Sequence, residues 1–227
     1  FTPFRILYNQ KPVTRNPRTI NMKVTDHFIK SKGKTLVSFE VLPPLKGGSM
    51  QAIFKTLDVL MDFKPPFIDV TYHREEFIYK VRPSGYYEKA AIRKRPGTVG
   101  ICAALMHRYK VDAVPHLICG GFSVDETENA LIDLNFLGIN NVLALRGDAR
   151  QFEERFIPHE HGHKYALELV RQMVGMNEGR YLDPDIVNGE KTDFCVGIAG
   201  YPEKHFEAPN FDTDLIFTKQ KVDAGAD

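Results

Sequence analysis

From Lys34 onward, short apolar runs rich in β-branched residues alternate with longer stretches whose apolar positions recur every three to four residues. That alternation restricts the chain to repeated βα units built on a parallel sheet. The runs predict strands at Thr35–Val41, Phe67–Tyr72, Val111–Ile118, Asn141–Leu145 and Phe194–Ala199. Between them the period predicts helices over Ser49–Phe63, Tyr87–Tyr109 with a break at Pro96, Ser123–Leu137, His163–Met176 and Asp212–Ala224. The third of these carries its own start and stop signals. Ser123 with Glu126 three positions on forms a capping box, and Gly138 ends the helix.

Five βα units suit either an open doubly wound sheet or an incomplete (βα)8 TIM barrel. Two features favour the α/β barrel of about five βα units. No Gly-x-Gly-x-x-Gly follows the first strand, which removes the main support for a dinucleotide-binding fold. Glu40, Thr71, His116, Arg146 with Asp148, and Tyr201 fall at or just past the ends of successive predicted strands, where barrel enzymes keep their chemistry. The final Val222-Asp223-Ala224-Gly225-Ala226-Asp227 reads as a helix end and turn, so the chain is expected to be a fragment of a longer barrel. Residues 1–21, with Pro3, Pro12, Pro17 and no regular period, read as a disordered N-terminal arm or a non-native extension, and residues 22–227 as the folded part.

Composition narrows the function class. A chain of 227 residues that is 43% hydrophobic can bury one sizeable core. A net charge of +1 offers no strong field for nucleic acid or an anionic membrane. No run approaches the roughly 18 apolar residues of a membrane span, so a cytoplasmic protein is expected. Cys102, Cys119 and Cys195 are odd in number and widely spaced, as in a cytosolic protein with reduced thiols.

Several motifs could carry chemistry. Ser38-Phe39-Glu40-Val41-Leu42-Pro43-Pro44 sets a carboxyl among apolar residues, where partial desolvation favours a general acid, unless the group merely caps a turn. Val70-Thr71-Tyr72-His73-Arg74 ends a strand in hydroxyls and a cation, although Thr and Tyr are also ordinary strand formers. His116 lies within Ala113-Val114-Pro115-His116-Leu117 and reads more simply as a satisfied core histidine. Leu143-Ala144-Leu145-Arg146-Gly147-Asp148 ends a buried strand in a cation, a flexible residue and an anion. Gly147 would let backbone approach a flat ligand, or else Arg146 and Asp148 simply pair internally. Gly200-Tyr201-Pro202-Glu203-Lys204-His205 is a polar loop ahead of a helix bearing Asp214, Lys219 and Lys221. His159, His161 and His163 alternate in a Gly-containing loop without structural-zinc spacing, so no metal is expected.

Taken in order, Ser38-Phe39-Glu40 with Pro43-Pro44, Val70-Thr71-Tyr72, Pro115-His116-Leu117, Ala144-Leu145-Arg146-Gly147-Asp148, Tyr201-Pro202-Glu203-Lys204-His205 and Lys221 to Asp227 resemble the motif series of the methylenetetrahydrofolate reductases. The resemblance runs from about residue 23 to the end. It implies a flavin-binding barrel using FAD, with NADH or NADPH as hydride donor and methylenetetrahydrofolate as small-molecule substrate. Glu40 would be the acid that opens the folate ring, and Asp148 would face both flavin and folate. Tyr72, His116, Arg146, Gly147, Asp148, Tyr165, Ala166, Tyr201, His205, Ala208, Asp214 and Lys221 match flavin-contacting positions, and Thr71 matches one near the nicotinamide. Phe217 and Gln220 depart from the polar cofactor contacts of some relatives. Arg150–His163 and Asn177–Asp193 are longer than in the shortest members and read as surface loops. Family members are often homo-oligomers, but no apolar stripe marks an interface. Two other classes stay open: a non-catalytic half-barrel or interaction module, and another barrel enzyme acting on a phosphorylated metabolite.

Overall fold

The computed structural model describes residues 21–150 and 153–227, so all of the expected arm at 1–21 except Asn21 lies outside the described residues. Along the chain run α1 (Val24–Ser31), β1 (Phe39–Val41), α2 (Met50–Leu60) with a short 3-10 turn at Met61–Phe63, and β2 (Phe67–Val70). A hairpin of β3 (Glu76–Val81) and β4 (Tyr87–Ile92) follows. Then come α3 (Thr98–Tyr109), β5 (Asp112–Ile118), α4 (Val124–Phe136), β6 (Asn141–Leu145), α5 (Ala166–Asn177), β7 (Cys195–Ile198) and α6 (Phe211–Asp223).

Strands β1, β2, β5, β6 and β7 form one five-stranded parallel sheet in that spatial order. Alternation along each strand divides its side chains between two faces. Val41, Ile68, Val70, Leu117, Val142, Ala144 and Val196 share one core with Leu57 of α2, Leu105 of α3, Leu131 and Leu134 of α4, and Met173 of α5. Helices α2 through α5 therefore all cover the same face. A doubly wound sheet would divide them between both faces. The opposite phase of the strands carries Glu40, Asp69 and His116 as well as Val114 and Leu143.

Beneath the sheet, at the strands' N-terminal edge, α1 is held by polar contacts and has no fully buried residue. Asn141 accepts from the Val24 N–H at 2.8 Å and donates to the Met22 carbonyl at 2.9 Å. Asp112, buried, accepts from the Asn21 N–H at 3.0 Å and meets His27 Nε2 at 2.7 Å. No helix was expected at 24–31, and Asn21, assigned to the arm, is tied to the sheet.

The segment Tyr87–Ile92 is a correction. It was expected to begin a helix, but it forms β4, paired antiparallel with β3. Gly85 at φ +82° supplies the left-handed turn residue, and Arg82 N–H donates to Tyr86 O at 2.9 Å to close the loop. The helix begins only at Thr98, after Pro96 and Gly97. The first strand is also shorter than expected, beginning at Phe39 rather than Thr35, and α5 begins at Ala166 rather than His163. Elsewhere the expected elements lie within two residues of their predicted bounds, and the Ser123–Glu126 capping box is formed in both directions.

Candidate functional site

Because the five strands of the sheet are parallel, their C-terminal ends share one edge, and most of the expected residues lie there. At the β1–β2 side, Glu40 stands directly opposite Asp69 in register. His116, two residues inside the end of β5 rather than at it, reaches the same place. Its Nε2 lies 3.7 Å from Asp69 Oδ1 and 3.9 Å from Glu40 Oε2. The histidine is buried, as expected, but it is not satisfied: Nε2 has no hydrogen-bond partner. Thr71 donates to the Val41 carbonyl at 3.4 Å and sits 3.3 Å from His73 Nε2. Burial, followed by the nearby Arg95 charge, pushes the His73 imidazole below its usual range. Tyr72 is buried, packs against Phe122 with ring centroids 4.7 Å apart, and donates to the Gly121 carbonyl at 3.4 Å. Burial raises its phenol above the usual range.

At the β6–β7 side, β6 ends in Arg146-Gly147-Asp148. Gly147 has φ +87°, and a Cβ there would come within 3.3 Å of Ile118, so only glycine suits this turn. The internal Arg146–Asp148 pair considered from sequence is absent among the described contacts. Arg146 instead pairs with Glu207, whose hydrogen bond raises the guanidinium's basicity and holds the carboxyl below its usual range. Asp148 is left exposed. In the loop after β7, Tyr201 meets His205 edge-on at 4.8 Å, and the His205 N–H donates to Asp214 of α6 at 2.8 Å. Lys204 is turned inward, its Nζ donating to the carbonyls of His205 and Ala208 at 2.9 and 2.6 Å. Ala208 is buried. Lys221 reaches the Ala199 carbonyl at 2.9 Å, and burial lowers its ammonium's basicity. Its neighbour Lys219 stays at the surface, paired with Asp223 at 2.5 Å. Tyr165, exposed, precedes Ala166 at the start of α5, where Glu168 accepts from the Tyr165 N–H at 3.4 Å.

Part of Arg150–His163 is not the plain surface loop expected. Glu153 is ion-paired with Arg74 at 2.7 Å, with side chains 11% and 8% exposed. Phe156 lies 5.3 Å from the Arg74 guanidinium and 5.0 Å from that of Arg146. The aromatic ring thus joins the end of β2 to the end of β6. Arg150, through its position over the Phe77 ring at 4.5 Å, ties the same segment to the β3–β4 hairpin.

Two groups are brought together: Glu40 with His116, and Tyr201 with His205 and Asp214. Glu40 and Asp148 share no hydrogen bond or ion pair among the described residues. Asp69 was missed, although a signal existed. A carboxylate in Phe67-Ile68-Asp69-Val70 interrupts an otherwise apolar strand in phase with Thr71. Cys102, Cys119 and Cys195 are buried free thiols, and burial pushes the Cys119 thiol up to about 12.

A family model described as methylenetetrahydrofolate reductase matches residues 23–227. Methylenetetrahydrofolate reductase (NADH) 1 of Arabidopsis thaliana is 30% identical over 217 residues, covering 91% of this chain and 32% of that protein. Methylenetetrahydrofolate reductase 2 of Saccharomyces cerevisiae is 29% identical over 212 residues, 91% of this chain and 31% of that protein. The 5,10-methylenetetrahydrofolate reductase of Escherichia coli is 32% identical over 197 residues, 86% of this chain and 53% of that protein. The chain thus spans about a third of the plant and yeast relatives and about half of the bacterial one. With the family model matching from residue 23 onward, the chain belongs to the methylenetetrahydrofolate reductase family.

Proposed function

We propose that residues 22–227 supply the first five βα units of a (βα)8 barrel that binds FAD. With NADH or NADPH as hydride donor, it reduces 5,10-methylenetetrahydrofolate to 5-methyltetrahydrofolate in the cytoplasm. The observation that carries this reading is the gathering, on one strand edge, of three features. These are the Glu40 carboxyl, the buried His116 with an unpartnered Nε2, and a side-chain-free turn between Arg146 and Asp148. Helices confined to one face of the sheet support the barrel, and three buried free thiols support a reducing compartment.

The residues fit a flat cofactor with an anionic tail. Gly147 offers bare backbone, His116 an imidazole ring, and Arg146 and Lys221 two cations at the ends of β6 and β7. Thr71, Tyr72, Tyr165, Ala166, Tyr201, His205, Ala208 and Asp214 would complete the holding set. Bound FAD supplies hydride transfer between the nicotinamide and the folate. Glu40, exposed on the inner face, is the acid that protonates a folate ring nitrogen and opens the ring. Asp148, exposed past the Gly147 turn, accepts hydrogen bonds from the pterin. Tyr72 acts by packing, because its hydroxyl is already committed to Gly121.

The test is spectral and kinetic. The full-length polypeptide, purified, should be yellow and should oxidise NAD(P)H only when a folate or an artificial acceptor is present. A colourless protein that does not take up added FAD would overturn the proposal.

A further inference from the structure

The Glu40 carboxyl gives a proton away in every turnover of the proposed reaction, and something must refill it. Three groups from three strands meet where that refilling would occur: Glu40 on β1, Asp69 opposite it on β2, and His116 on β5. They differ in access. The Glu40 side chain is 61% exposed, Asp69 is 20% exposed and His116 is 7% exposed. Glu40 is the carboxyl a substrate can reach, and Asp69 is the sheltered one. Between them lies Nε2, an interior nitrogen without a hydrogen bond. Leaving such an atom unpaired costs about 1–3 kcal/mol, and the two oxygens facing it stand about an ångström beyond hydrogen-bonding distance. A small turn of either carboxylate closes the gap.

We propose that Asp69 is a positioning residue. Its carboxylate sets a negative charge beside the His116 imidazole, keeping it charged with a proton, so that His116 refills the Glu40 carboxyl after each ring opening. The inference rests on reading Glu40 as the acid. In the step, the Glu40 O–H bond breaks as an N–H bond forms on the folate. The His116 Nε2–H bond then breaks as the Glu40 O–H re-forms, leaving neutral imidazole, and a hydronium ion from solution reprotonates Nε2, releasing water. While the imidazole carries the proton it is cationic, and the Asp69 carboxylate, which faces the same nitrogen at 3.7 Å, balances that charge through space. The neighbouring titratable groups are His73, beyond β2 with Arg95 and Glu76 around it, and the buried Cys102 thiol of α3, which feels the Asp69 charge. Neither has a hydrogen bond to His116. On β6 the register neighbour of His116 is the apolar Leu143.

The experiment compares Asp69→Asn and Asp69→Glu with the unaltered full-length protein. Asp69→Asn should lower folate-dependent kcat by about tenfold to a hundredfold, with folate KM and flavin content changed by less than about twofold. The ratio of folate-dependent to quinone-dependent turnover should fall with kcat, because a quinone takes its protons from water. Asp69→Glu should restore much of the loss. His116→Gln, which cuts the same link while leaving the Asp69 charge, should reproduce the fall in that ratio and covers the case in which Asp69→Asn does not fold. An unchanged ratio in both Asp69→Asn and His116→Gln overturns the proposal. Glu40→Gln separates the two layers. If it leaves folate turnover intact, the acid assignment itself fails. If it abolishes turnover while the other variants are silent, only the role of Asp69 fails.

Discussion

Arg74 and Glu153 form an ion pair at 2.7 Å that is almost closed to solvent, with side chains 8% and 11% exposed. It joins the residue ahead of the β3–β4 hairpin to the segment that follows β6, and Arg150 N–H adds a second donor to Glu153 at 2.8 Å. Removing Arg74 leaves the Glu153 carboxylate in a dry place with only the more distant Arg150 guanidinium, at 3.5 Å, to balance it. Arg74→Met should destabilise the protein by about 3 kcal/mol, measured by denaturant unfolding. The double change Arg74→Met with Glu153→Leu should recover only part of that loss, since Arg150, 3.5 Å from Glu153, then loses its carboxylate.

Asn141 receives α1 with both ends of its amide. Asn141→Leu would leave the Val24 N–H and the Met22 carbonyl without those partners, at a cost of about 2–3 kcal/mol. Hydrogen exchange should locate the damage, with amides of 24–31 losing protection before those of β6.

Gly121 sits against the Tyr72 ring, and a Cβ there would lie 2.4 Å from a ring carbon. Gly121→Ala should therefore destabilise by about 1–3 kcal/mol by pushing the ring aside. Tyr72→Phe, which removes only the bond to the Gly121 carbonyl, should cost about 1 kcal/mol. Equal effects in thermal unfolding would show that packing is not what fixes the ring.

The α4 capping box predicts a pH dependence. The Ser123 N–H holds the Glu126 carboxyl below its ordinary value of 4.5. A carboxyl depressed in the folded state adds stability above the unfolded value, and that stability is lost as pH falls through the folded value. The excess stability of the unaltered protein over Glu126→Gln should thus be constant near neutrality and shrink below pH 4.5. A gap that widened on acidification would contradict the assignment.

What the sequence disclosed follows from how local each signal was. β6 was legible residue for residue because an apolar run at Asn141–Leu145 stops abruptly at Arg146. The α4 box was legible because both partners lie within one turn. β4 was not, because Glu88, Lys89, Ala90 and Ala91 are helix formers, and only pairing with the distant Glu76–Val81 makes them extended. α1 was hidden for a related reason, since its anchors, Asp112 and Asn141, lie about a hundred residues away. Within the candidate site, Glu40, Arg146 and Gly147 stood out as polar or flexible residues at strand ends. Asp69 was passed over inside its strand, and the exchange of Asp148 for Glu207 as the partner of Arg146 depends on a loop whose path no local pattern encodes.

The β3–β4 hairpin stands apart from the main sheet, and two strands alone are barely stable in water. The Lys94–Glu76 pair, at 2.5 Å, closes its own base, and its hold on the rest of the protein includes the stacking of Arg150 on Phe77. It is thus the natural first point of attack for a protease, at the exposed Pro83-Ser84-Gly85 tip. Such a nick would leave the five-stranded sheet standing.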